Sequence, residues 1–177
     1  MARPEDADCW LVQANADLLA ANAEHQDIAE CHRRFWIQQS YEKAIKAYAI
    51  IRWSGAAEDE RQFARLFLLK HSPLKTLASA GDPLPKSLHM LSREVEVFVR
   101  ELDNSDLLLR IDAAEAVTDP DQVSYRYPFL VEDELKAPSE YEDWNVYQGN
   151  RTGALAAVRR LIAAVRDELR VARRRPS

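Results

Sequence analysis

The sequence predicts an all-α protein, an up-and-down bundle of about five helices, and three observations carry that expectation. Ala and Leu, among the best helix formers, supply 26 and 20 of the 177 residues, whereas Gly appears only 4 times. Apolar residues recur at alternating three- and four-residue spacings, the period of a helix face packed on a core. Nowhere does a convincing two-residue alternation signal a strand.

Each element follows from local signals. A first helix is expected from Ala7 to Glu24, with Leu11, Ala14, Leu18 and Ala21 on one stripe. After a break at His25-Gln26, Asp27 stands three residues before Glu30. That spacing reads as a capping box opening a second helix, which runs to about Trp53 and stops at Ser54-Gly55. A shorter third helix spans Arg61 to Lys70, and Leu74 to Ala80 adds a turn before Gly81-Asp82-Pro83. The fourth starts near Pro85, carries Leu88, Leu91, Val95, Phe98 and Leu102 as its seam, and closes at Thr118-Asp119-Pro120. Residues 125–150 have two Pro, much acid and no clean period. The last helix covers about Thr152 to Arg173, with Leu155, Val158, Ile162, Val165 and Leu169 inward. Together these make one helical domain over residues 1–177, with its core at about 8–170 and an irregular acidic loop at about 119–150.

Composition excludes several function classes. A Walker-type phosphate loop and a dinucleotide fold both require Gly patterns that four scattered Gly do not form, so a phosphate must be held by side chains or helix ends. An apolar fraction of 47% is enough for a real core. A net charge of −5 argues against a general DNA-coating role. Charge is unevenly spread, however. Residues 151–177 hold eight Arg against two acids, while residues 112–148 hold ten acids against two bases. Such segments attract each other or face different partners. Only Cys9 and Cys31 occur, without metal-type spacing, so free thiols are expected and neither metal nor cofactor is implied. The N-terminus has no signal-peptide stretch, and no apolar run is long enough to span a membrane, so a cytoplasmic location is expected.

The second helix is unusual. At 100° per residue, Ser40, Ala44 and Ala47 share one side and permit close helix packing. Tyr41, Ile45, Tyr48 and Arg52 lie on another. Gln39, Glu42, Lys43 and Lys46 form a third row, on a face that also carries Phe35, Ile50 and Trp53, with Trp36 at its edge. A polar row in an aromatic surround implies partial burial, and buried charges need fixed partners. The same row on an exposed face is only a solvated stripe with a Glu42–Lys46 pair worth about 0.3–0.5 kcal/mol.

Four motifs in order carry a family resemblance: Asp17-Leu18; Gln39-x-x-Glu42-Lys43-x-x-Lys46-Ala47; His71-x-x-Leu74-x-x-Leu77; and Tyr125-Arg126-Tyr127-Pro128. Together they resemble the HEPN family, the higher eukaryotes and prokaryotes nucleotide-binding domain, from about Asp8 to Leu169. The resemblance implies a helical bundle, commonly a homodimer, found with small nucleotidyltransferases in bacterial toxin–antitoxin or defence systems. It implies that Gln39, Glu42, Lys43, Lys46, His71 and Arg126 border a ligand groove. Lys brings a mobile point charge and Arg a bidentate fork, both suited to phosphate, and Glu42 orients a lysine or accepts from a base or ribose. The same groups also serve if they only tie helices together.

Many members of that family are metal-independent endoribonucleases with an Arg, four to six residues, then a His as general acid–base. Here only Arg65 and His71 fit, and His71 also belongs to the His-x-x-Leu element. The resemblance and the motif pattern favour a non-catalytic protein that binds a nucleotide or a nucleotidyltransferase partner, with RNA as a further candidate ligand. An endoribonuclease using Arg65 and His71, and a dimeric scaffold without ligand, are the alternatives. His25, His32 and His89 have no metal spacing, and the acidic 132–143 stretch lacks a calcium-loop pattern. Tyr141, Trp144 and Tyr147 recur every third residue and read as packing. Arg159, Arg166, Arg170 and Arg173 form a stripe on the last helix. The helix dipole accounts for its last turn but not for Arg159, which points to RNA or an acidic partner.

Overall fold

A computed structural model of the chain describes residues 4–23, 28–52, 129–131, 134–140 and 151–174. They are predominantly helical: α1 spans Pro4–Asn22, α2 spans Glu30–Arg52 and α3 spans Arg151–Arg174. No described helix is long and apolar enough to cross a membrane. The expected helices at 61–70, 74–80 and 85–117 lie outside the described residues.

The three helices pack against one another around a single core. α1 contributes Ala7, Leu11, Ala14, Leu18 and Ala21, a strict four–three repeat. α3 contributes Leu155, Val158, Ile162, Val165 and Leu169, the expected seam, joined by Ala154 and Leu161. α2 is buried on most of its circumference, including Ile37, Tyr41, Ala44, Ile45, Ala47, Tyr48 and Ile50, and so forms the centre of the described assembly. The small-residue side of α2 does what the wheel predicts. Ser40 Oγ donates to the Ala14 carbonyl at 2.6 Å, a bond that requires close approach of the two helices.

Helix directions follow from pairs distant in sequence. Arg33 meets Ala23, Lys43 meets Asp17 and Lys46 meets Trp10, so α1 and α2 form an antiparallel hairpin. Arg151 at the start of α3 pairs with Glu30 at the start of α2 at 3.4 Å, and Arg173 near its end pairs with Asp8 near the start of α1. α3 therefore runs parallel to α2 and antiparallel to α1.

Helix ends depart from expectation in one respect. Glu30 is the first residue of α2 rather than its third, with Ala29 accepting from the His32 and Arg33 amides. Asp27, the other half of the expected capping box, lies outside the described residues; Glu30 pairs with Arg34 at 3.0 Å and with Arg151. Arg33 reaches back to the carbonyls of Ile28 and Ala23, the latter just past the end of α1, where a cation satisfies open carbonyls.

Part of the stretch read as an irregular acidic loop is ordered into a small hairpin. β1 (Phe129–Val131) pairs antiparallel with β2 (Glu134–Lys136), placing Phe129 opposite Lys136, Leu130 opposite Leu135 and Val131 opposite Glu134. A 3-10 turn at Pro138–Glu140 follows and lies against α2. Its start is closed reciprocally: the Ala137 amide donates to Glu140 Oε2 at 3.1 Å, and the Glu140 amide donates to the Ala137 carbonyl at 3.0 Å. Pro at the first position and Glu at the third suit such a closure.

Candidate functional site

The polar row of α2 meets one flank of α1. At 100° per residue, Trp10, Gln13 and Asp17 succeed one another along α1 by three and four residues, and each faces a partner in the row or its neighbour. Lys43 Nζ donates to Asp17 Oδ2 at 2.6 Å and to Gln39 Oε1 at 3.2 Å. Gln13 Nε2 donates to the other Asp17 oxygen at 2.8 Å. One carboxylate thus gathers donors from both helices. The lysine side chain is 19% exposed and the aspartate 13%, so this pair sits at the boundary with solvent.

One turn further along α2 the environment is drier. Lys46 pairs with Glu42 on its own helix, and the two side chains are only 5% and 4% exposed. The Lys46 ammonium also lies 5.2 Å from the centre of the Trp10 ring, within cation–π range. An exposed helix pair of this spacing would add only a few tenths of a kcal/mol. Here the pair is buried, and the attraction between the two charges helps to offset their desolvation. The expectation that the row is partly buried and held by fixed partners is met. Phe35 and Trp36 are partly buried against the core and Ile50 is buried, as the aromatic surround implies.

Gln39, Glu42, Lys43 and Lys46 are therefore brought together, and Asp17 of the first motif joins them directly. Arg65, His71 and Arg126 lie outside the described residues, as do Trp53, His25 and His89. Two members of the cluster were not singled out from sequence, Trp10 and Gln13. Their signal was present: both lie on the flank of α1 that leads to Asp17.

Among the described residues, no group of three or more His, Cys, Asp or Glu is arranged to hold a metal ion. His32 is exposed and its ring stands 6.4 Å from that of Trp36. Cys9 is exposed and Cys31 is buried, both as free thiols. Burial pushes the Cys31 thiol above its ordinary range, outweighing the backbone hydrogen bonds that favour its thiolate. At a given pH Cys31 holds less of the nucleophilic thiolate and is also shielded. Alkylation of the folded protein at pH 8 should mark Cys9 first, with Cys31 reacting at least about tenfold more slowly until denaturant is added. Mass spectrometry of timed samples reads this directly, and equal rates would contradict the burial of Cys31.

The arrangement can hold an anion or polar ligand at Lys43, where a donor with three protons stands at the solvent edge. No protein-family model, curated protein or solved structure matches the chain.

Proposed function

We propose that the chain is a non-catalytic, HEPN-type helical protein that uses the polar row of α2 to bind a nucleotide or a nucleotidyltransferase partner in a bacterial toxin–antitoxin or defence setting. The observation that carries this reading is the convergence of Asp17, Gln39 and Lys43 at the solvent edge of the α1–α2 interface. Lys43 offers the accessible charge, and Gln39 offers an amide for a base or ribose. Lys46, buried with Glu42 and Trp10, sets the position of the row rather than touching the ligand. A homodimer is part of the same proposal.

ATP is the first probe. Binding at a concentration one hundred times Kd stabilises the native state by about 2.7 kcal/mol, which raises the Tm of a chain this size by several degrees. Lys43→Ala is expected to abolish that rise while leaving the fold intact, since its pair is partly solvated.

One observation favours a second reading, a scaffold without ligand. Both lysines of the row already have acidic partners within the chain, Lys43 with Asp17 and Lys46 with Glu42. In that reading ATP produces no shift in either protein, and Lys43→Ala changes only the starting Tm.

A further inference from the structure

One flank of α3, beside its apolar seam, carries a row of its own. Arg159, Arg166, Arg170 and Arg173 are all exposed. At 100° per residue they fall within about 60° of arc, and at 1.5 Å per residue they extend over about 21 Å. Two of them are steadied by acids: Arg170 by Asp167 at 2.8 Å on the same helix, and Arg173 by Asp8 of α1. These exposed pairs contribute little to stability, and they leave the guanidinium groups accessible, with 69% of the Arg170 side chain open to solvent.

The 3-10 turn that follows the hairpin packs on α2, and Arg151, Arg170 and Arg173 of α3 pair with Glu30, Asp167 and Asp8 respectively. The row is all arginine, the side chain that grips phosphate with a planar fork. What lies between the arginines matters equally. Within about 40° of the row, the other exposed residues are Thr152, Ala156, Ala163 and Arg174. A protein interface needs large apolar or aromatic anchors at its centre, and this face has none. A nucleic-acid interface is instead polar and positively charged, and a linear array suits a linear polyanion.

We propose that the Arg159–Arg166–Arg170–Arg173 face of α3 is a docking strip for the phosphodiester backbone of a nucleic-acid strand. The site is separate from the polar row of α2, so the two can fail independently. The overall charge of −5 opposes binding at long range, where salt screens it, and the strip acts locally, within a Debye length of the strand.

Fluorescence anisotropy of the full chain tests this with labelled single strands of RNA and DNA, each of about 20 nucleotides, and with polyglutamate of equal charge. Both nucleic acids are expected to bind, with affinity falling steeply as salt rises; binding of RNA alone would mark recognition of the 2′-hydroxyl. Arg159→Gln combined with Arg166→Gln should lower affinity at least about tenfold and flatten the salt dependence by one to two units of slope, at unchanged Tm. Arg52→Gln combined with Arg160→Gln removes the same charge away from the strip and should retain most of the affinity. The proposal is overturned if neither strand binds at low salt, if polyglutamate binds as well as RNA, or if the two double variants weaken binding equally.

Discussion

Replacing Lys46 with alanine is expected to destabilise the protein by about 3–5 kcal/mol, a large fraction of the stability of a domain this size. The reason lies in where the pair sits. Glu42 and Lys46 are 4% and 5% exposed, so removing the ammonium takes an ion-pair partner from a carboxylate in a dry environment and also takes the cation from the face of Trp10. Losing one partner of a buried pair is costly, whereas losing both need not be. Glu42→Leu combined with Lys46→Met keeps the volume without charge and should recover most of the loss. Urea denaturation of the three variants at neutral pH reads both quantities. A loss below about 1 kcal/mol for Lys46→Ala would place the pair in the class of solvated helix pairs.

Leu18→Ala should cost about 2–5 kcal/mol, and Leu19→Ala less than about 0.5 kcal/mol. The two residues are adjacent and chemically identical, but Leu18 is 3% exposed in the core and Leu19 is 64% exposed. Truncating Leu18 removes buried methyl groups and leaves a cavity between α1 and its neighbours that close-packed surroundings only partly fill. Truncating Leu19 changes surface that water already covers. Denaturant midpoints of the two variants, measured side by side, separate the inner face of α1 from its outer face. Comparable losses would mean that the α1 face is turned.

Much of the described fold was legible in sequence because it depends on local periodicity. The inner stripes of α1 and α3 and the small side of α2 follow from spacing alone, since 3.6 residues per turn leaves little choice of which side chains share a face. The start of α2 was not legible at the residue level: Asp27 and Glu30 have the spacing of a capping box, but Glu30 pairs with Arg34 and with Arg151, which lies far along the chain. The hairpin at 129–136 was missed because three-residue strands are too short to establish an alternation, and the surrounding acids and prolines suit a loop equally well. In the candidate site, the row itself was readable, whereas Trp10 and Gln13 emerged only when α1 was laid against it.

By itself the sequence determined that these segments are helices, which face of each is apolar, and that α2 carries a polar row within an aromatic surround. Tertiary structure alone decided that Glu42 and Lys46 are dry while Lys43 stays at the solvent edge, that Asp17 receives Lys43 across 26 positions of chain, and that α3 runs parallel to α2. The division has a physical cause. Helix faces are set by bonds and contacts within a turn or two, which composition and spacing encode directly. Burial of a charge and the choice of its partner are set by whichever helix arrives on the other side, and that is a property of the packed chain.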